Sequence, residues 1–355
     1  MTRTPGSELR PRLRSRYPLR RSAHYHQDLA DGVDRWFLSW GLLPDPRQQT
    51  VFRQTNHTYL AAVCWPAADR DTLYDLARLA AALMARDHQI DTAPHDHALD
   101  TARAFLTEVR TQYAHPAAEG TDPRWAPVFT DLWLSLAAHS SPRFMTRLAD
   151  SIADFLTGCL TYRQTTATGG HPRDLTHYLR TRRTTIAQRI DHLLTELSLC
   201  IELDDTVLTH PLMDRLLFLD VERTILVQDI LSAPRELADG ETENVLAVLA
   251  AEHRCTPAEA LPDALRLYEQ AMDAYDHTHS HLLHTDLSRQ PHLRAYLTAL
   301  NDFNTGLIEW TTNSVRYTRS PIAHWTIPDE IVHPGNNSPG TRNLPAPTPS
   351  PQQNN

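Results

Sequence analysis

Three oxygen-bearing side chains, Gln228, Ser232 and Glu236, recur at four-residue steps in the stretch Gln228-Asp229-Ile230-Leu231-Ser232-Ala233-Pro234-Arg235-Glu236. Residues four apart share one face of an α-helix, so a helix here lines up an amide, a hydroxyl and a carboxylate. Hard cations such as Mg²⁺ take ligands of this kind and fill their other positions with water or phosphate oxygens. Arg235, beside the last of the three, could reach a phosphate. A second pair, Asp87 and Asp91, is again four apart, so both carboxylates face the same way. Pro234 interrupts the first stripe; a proline inside a helix removes a backbone hydrogen bond and tends to kink the chain.

The elements that must position these groups are helical. Leu, Ala, Thr, Arg and Asp dominate, and glycine is scarce at 11 of 355 residues, which favours helices over a sandwich or barrel. From about His26, Leu29, Val33, Trp36, Phe37 and Trp40 fall at helical steps and Gly41 closes the segment. A short helix over Tyr59 to Val63 stops at Trp65-Pro66. Asp71 or Thr72 caps a long helix whose apolar face runs from Leu73 to Met84 and which ends in Asp87-His88-Gln89-Ile90-Asp91. Helical patterns follow over residues 100–113 and 128–163, from Asp174 to Arg189, from Asp239-Gly240 onward, and from Thr256 to Ala271. Asp204-Asp205 reads as a loop or helix cap.

The net charge of −9 argues against a nucleic-acid binder. The four cysteines are widely spaced, with no zinc pattern, and suit a reducing compartment, so a cytoplasmic location is expected. No apolar run is long enough to span a bilayer. Residues 1–16, with Arg3, Arg10, Arg12, Arg14 and Arg16, read as a mobile basic arm, residues 17–325 as one helical domain, and residues 326–355 as a disordered Pro- and Asn-rich tail.

Taken together, these stretches resemble the class I terpene synthases of bacterial type, over about residues 26–320. The Gln228 stretch is similar to the family's second metal motif, (Asn/Asp)-Asp-x-x-Ser-x-x-x-Glu, with Gln in place of Asn. Asp87-His88-x-x-Asp91 resembles its Asp-rich motif, with His88 at the second acid. Tyr178-x-x-x-Arg182 resembles the family's diphosphate-sensing segment, and Arg182 precedes Gln228 by 46 residues, the family's own spacing. The helix break that follows in the family often carries a glycine, whereas Thr185-Ile186 stand here. Trp310 followed by Arg316-Tyr317 resembles the family's closing motif, and Arg316 follows Gln228 by 88 residues. Asn301-Asp302-x-x-Thr305-x-x-x-Glu309 fits the metal motif better in letters, but its spacing to Arg182 and Arg316 is wrong.

The resemblance implies an all-α bundle with a deep central pocket and a Mg²⁺-dependent cyclase of a prenyl diphosphate, most often a C15 one. It implies metal ligation by Asp87, Asp91, Gln228, Ser232 and Glu236, with three ions once diphosphate is bound. Diphosphate binding falls to Arg182, Arg235, Arg316 and Tyr317, and catalytic roles to Asp87, Arg182 and, through its ring face, Trp310. It further implies a prenyl diphosphate as partner, no nucleic acid, no membrane span, and leaves room for a homodimer. Two other readings stay open: a degenerate homologue that binds an isoprenoid without turnover, and a chain-elongating prenyltransferase, which would need two complete Asp-rich motifs.

Overall fold

The computed structural model describes residues 13–92, 100, 103–107, 109, 122–170, 174–238 and 242–318, with backbone only at 90–92 and 318. Among these, the chain is helical throughout and contains no strand. In order, the helices are α1 Gln27–Ser39, α2 Pro46–Thr55, α3 His57–Cys64, α4 Arg70–Thr92, α5 Ala126–Ala137, α6 Pro142–Ala167, α7 Leu175–Arg182 and α8 Gln188–Ser198. There follow α9 Asp205–Leu208, α10 Pro211–Ala238, α11 Val245–His253, α12 Pro257–Leu283, a 3₁₀ turn Asp286–Arg289, α13 Leu293–Asn313 and α14 Val315–Thr318.

Short polar side chains start several of these helices by accepting from otherwise unpaired amides. Ser141 Oγ accepts from Phe144 N at 3.0 Å, Asp174 from His177 N at 2.7 Å and Asn244 from Leu246 N at 2.9 Å. Thr256 and Glu259 close a capping box on α12. The cap expected at Asp71 or Thr72 falls earlier: Asp69 accepts from Thr72 N at 2.8 Å, so α4 begins at Arg70. The pattern over 128–163 is two helices rather than one. Ser141 caps and Pro142 starts α6, which breaks the backbone while the apolar periodicity carries on either side. Asp204, read as a loop or cap, precedes the single-turn α9 at its N-cap position.

α10 is the axis of the bundle. Buried residues occur on every side of it, from Met213 to Leu237, so it packs against neighbours all round rather than on one stripe. α12, α13 and α11 pack against it. Pro234 does not end it; the helix runs one further turn to Ala238. α13 lies close on α3 because Gly306 has no side chain: a Cβ there would stand 2.2 Å from the Val63 carbonyl oxygen. A second apolar cluster, including Leu216, Leu219, Leu282, Tyr296 and Leu300, seals the end of the bundle formed by the start of α10, the end of α12 and the start of α13.

Residues 13–16, the last of the expected arm, are among the described residues. Arg16 bonds to Glu269 Oε2 at 2.5 Å, Asp273 at 2.7 Å and Asp276 at 2.9 Å on α12, and Arg20 pairs with Asp302 at 2.8 Å. Opposite charges spaced along one helix face therefore fasten a segment that reads as a solvated arm in sequence. The remainder of that arm, residues 1–12, and residues 319–355, which include the expected tail at 326–355, lie outside the described residues. No helix among the described residues is long and apolar enough to cross a membrane. No disulfide joins the cysteines: Cys64 is buried in α3, Cys159 sits on α6, Cys255 is half-buried and Cys200 is exposed.

Candidate active site

A cavity of about 820 Å³ opens between α4, α6, α7, α8, α10, α13 and α14. Leu83 and Met84 from α4, Phe155 and Leu156 from α6, and Phe303, Leu307 and Trp310 from α13 supply its apolar wall. Asp87, Arg182, Gln228, Arg235, Glu236, Arg316 and Tyr317 also line it, so most of the residues singled out in the sequence face one space. Along α10 the lining runs from Thr224 to Glu236, a distance of about 18 Å at the α-helical rise.

The polar groups are tied to one another. Gln228 Nε2 donates to the Tyr317 hydroxyl at 2.8 Å, which turns the amide nitrogen toward α14 and leaves the oxygen to point elsewhere. Glu236 accepts from Asn244 Nδ2 at 2.9 Å and from Arg235 at 3.1 Å. The Arg235 guanidinium lies 5.3 Å from the centre of the Tyr317 ring, and Trp310 meets the same ring edge-on at 5.7 Å. Trp310 is 1% exposed and its indole N–H donates to the Thr55 carbonyl at 3.0 Å, which fixes the ring. Ser232 is fully buried, does not border the cavity, and sits 3.4 Å from the Asp229 carbonyl oxygen. The helical backbone of Asp91 is described but its side chain lies outside the described residues.

Beneath this layer lies a residue that helical periodicity leaves off the stripe. Asp229 is 1% exposed and accepts from the Tyr178 hydroxyl, from Arg182 Nε at 3.3 Å and from the amide of Val245 at 3.2 Å. Its own carbonyl accepts from Asn244 Nδ2 at 2.7 Å. One carboxylate thus joins α7, α10 and the start of α11. Burial pushes its pKa up to about 6, against the pull of Arg182; the nearby Glu236 adds to the rise. Burial works to lower Arg182, but Asp229, Tyr178 and Glu236 hold it above its usual value, so it stays charged. Tyr178 rises through burial and the adjacent Asp229 charge. The sequence carried a signal for part of this: Tyr178 and Arg182 are one turn apart, and both meet Asp229.

The helix break expected after Arg182 is present without a glycine. α7 ends at Arg182, and the chain resumes helical form at Gln188. Arg182 Nη1 donates to the Thr185 carbonyl at 2.8 Å. The glycine stands across the gap: a Cβ at Gly158 of α6 would lie 2.0 Å from the Thr184 carbonyl oxygen. The rival motif at residues 301–309 faces other partners. Asn301 accepts from Arg223 at 3.2 Å, Asp302 from Arg20, Thr305 meets Ser15 at 2.5 Å, and Glu309 accepts from Tyr59 at 3.1 Å. None of these four borders the cavity.

Among the described residues, no three acids, histidines or cysteines cluster closely enough to cage a metal unaided. What the cavity offers is a set of oxygen donors on separate helices, Asp87 on α4 and Gln228 and Glu236 on α10. Oxygen donors of this kind, few in number and next to cations, suit a Mg²⁺ that keeps waters and takes phosphate oxygens.

The fold belongs to one protein class. The family described as terpene synthase family 2, C-terminal metal binding, matches residues 78–274, and the chain belongs to it. It is similar to the (+)-T-muurolol synthase ((2E,6E)-farnesyl diphosphate cyclizing) of Roseiflexus castenholzii, 24% identical over 307 residues, covering 86% of this chain and 94% of that protein. It is also similar to the 7-epi-alpha-eudesmol synthase ((2E,6E)-farnesyl diphosphate cyclizing) of Streptomyces viridochromogenes, 26% identical over 296 residues, covering 80% and 85%. The crystal structure of an α-eudesmol synthase superposes with a TM-score of 0.74 at 21% identity, covering 85% of this chain and 99% of that one.

Proposed function

We propose that the chain is a Mg²⁺-dependent class I terpene cyclase that ionises a prenyl diphosphate and closes the resulting carbocation into a terpene. The observation that carries this reading is the single cavity lined by Asp87, Gln228 and Glu236 together with Arg182, Arg235 and Arg316-Tyr317. Bound Mg²⁺ would be held by Asp87, Gln228 and Glu236, with Asp91 as a further ligand of the family pattern, and would neutralise charge developing on the leaving diphosphate; Ser232, the pattern's remaining ligand, is buried away from the cavity and would have to turn from the Asp229 carbonyl to join them.

The chain's own residues do the rest. Arg182, Arg235 and Arg316 give charge-assisted hydrogen bonds to phosphate oxygens, and the Tyr317 hydroxyl gives another. The Asp229 network fixes Arg182 before substrate arrives, so the ordering is built into the fold. The apolar wall excludes water from an allylic cation that water would otherwise trap. The Trp310 ring, held by its bond to Thr55, offers a π face to that cation. A C15 substrate is favoured by the relatives named as cyclising farnesyl diphosphate.

The test is to incubate purified protein with Mg²⁺ and, separately, C10, C15 and C20 prenyl diphosphates, following pyrophosphate release and volatile products. Release with a cyclised product from one substrate supports the reading and sets the chain length. Folded protein that releases nothing overturns it. A second reading, a homologue that binds an isoprenoid without turnover, has one observation in its favour: His88, 5% exposed, borders the cavity where the family motif has an acid.

A further inference from the structure

Two polar groups in the cavity take no part in the arrangement above. Asp191, in the first turn of α8, borders the cavity, and among the described residues its carboxyl has neither a hydrogen-bond nor an ion-pair partner. Thr224 of α10 also borders it; the residue is 2% exposed and its hydroxyl has no partner among the described residues. The two helices are locked at this level. Gln188 and His192, on either side of Asp191, both reach Asp220 of α10, at 2.7 and 2.8 Å. Thr224 is one turn beyond Asp220 and one turn before Gln228, on the side of the lining away from Glu236.

Buried polar groups are expensive to leave without partners, and a polar recess with two or more such groups is where ordered water settles. We propose that Asp191 and Thr224 together hold a water molecule in the cavity, and that this water captures the carbocation at the end of the reaction, so that the product is an alcohol. The proposal rests on the terpene cyclase reading given above. In the step, a lone pair of the water oxygen forms a C–O bond to the cationic carbon. One O–H bond of the resulting oxonium then breaks, its electrons remain on oxygen, and the proton passes to the Asp191 carboxylate. Thr224 accepts or donates one hydrogen bond and undergoes no change.

The environment of Asp191 gives the step a pH signature. Burial and the charge of Asp220 push its carboxyl up to about 8. Asp191 in turn bears on Cys64 of α3, whose thiol is raised by burial and then by Asp191. The remaining ionisable groups lining the cavity are Asp87 and His88 of α4, Cys159, Tyr162 and Arg163 of α6, Tyr178 and Arg182 of α7, Arg235 and Glu236 of α10, Glu243 just before α11, and Arg316 and Tyr317 of α14; α13 contributes none. With half-ionisation near pH 8, the acceptor form rises about ten-fold between pH 7 and pH 9.

The experiment uses the full chain with Mg²⁺ and farnesyl diphosphate in ¹⁸O-labelled water, reading the ratio of alcohol to hydrocarbon among the products. The expected result is an alcohol carrying one ¹⁸O, with a ratio that climbs about ten-fold from pH 7 to pH 9. Asp191→Asn, which can still bind water but cannot take its proton, should give a ratio about ten-fold lower and flat with pH. Thr224→Val, close to isosteric, should lower the ratio about three-fold and keep the rise, as expected for one lost hydrogen bond. Pyrophosphate release with hydrocarbon alone, or an Asp191→Asn ratio that follows the unaltered protein, overturns the proposal and leaves the cyclase reading intact. If no substrate turns over, the cyclase reading fails first, and a crystal structure of the full chain decides the water site. An ordered water bonded to both Asp191 and Thr224 supports it, and its absence overturns it.

Discussion

Replacing Asp229 with Asn is the most direct way to ask whether the cation layer is organised from beneath. The substitution keeps size and shape but removes the charge that faces Arg182 Nε at 3.3 Å, and it weakens the bonds from Tyr178 and from the Val245 amide. Removing one partner of a buried ion pair costs about 3–5 kcal/mol. Arg182 keeps 21% of its side-chain surface exposed, so water relieves part of this and about 2–3 kcal/mol is expected. For a domain of this size that is a fall in melting temperature of about 3–5 °C. A double-mutant cycle with Arg182→Gln isolates the pair, and a coupling of about 1–2 kcal/mol is expected because the two groups share one network. Freed from Asp229, Arg182 loses its aim at the cavity, and kcat/KM for pyrophosphate release should drop about 100-fold, the scale of a small misplacement of a positioning group. Denaturant melts of the four proteins, with steady-state kinetics alongside, measure all of this. A loss below about 0.5 kcal/mol, a coupling near zero, or unchanged kinetics would refute the idea that Asp229 organises the site.

Other substitutions separate further claims. Glu236→Gln should abolish pyrophosphate release while the helical circular dichroism spectrum is retained, whereas Glu309→Gln, outside the cavity lining and bonded to Tyr59, should leave turnover within about three-fold. Gly158→Ala drives a Cβ against the Thr184 carbonyl, so a destabilisation of about 3 kcal/mol or more is expected in urea melts. Asp191→Asn should change the pH dependence of stability. The folded carboxyl, near 8, sits above its unfolded value of 3.8, so the folded state binds more protons in between and stability falls as pH rises through that window. The variant lacks this loss, and its stability relative to the unaltered protein should improve by about 2 kcal/mol from pH 5 to pH 8, half the full linkage to allow for water in the cavity. Equal slopes of melting temperature against pH would refute it.

The residues on long helices were legible because a helix turns spacing into direction. Gln228 and Glu236 both lie on α10, so their shared facing followed from steps of four, but the same rule failed for Ser232 between them, which is buried away from the cavity that Asp87 of α4 also lines. The same rule hid Asp229, which is a neighbour of Gln228 and points off the stripe. Its importance comes from Tyr178, Arg182 and Val245, which only tertiary packing brings to it. Arg182 itself was placed by its distance along the chain from Gln228, not by periodicity. The helix break after it shows another limit. The space for a close carbonyl is made by Gly158 on a different helix, so the local letters Thr185-Ile186 carry no sign of it. The joined reading of α5 and α6 failed for the opposite reason: the Ser141-Pro142 start signal was there, but the apolar rhythm ran across it.

The placement of the cysteines gives the chain reporters of its own. Cys200 is exposed on a left-handed residue after α8, so a thiol reagent meets it at once. Cys159 borders the cavity, and its labelling rate tracks whatever fills that space. Cys64 is fully buried, with a thiol raised well above its usual pKa by burial, so it is modified only when the bundle opens. A single labelling time course, read by mass, would therefore time surface access, ligand occupancy and global opening as separate clocks.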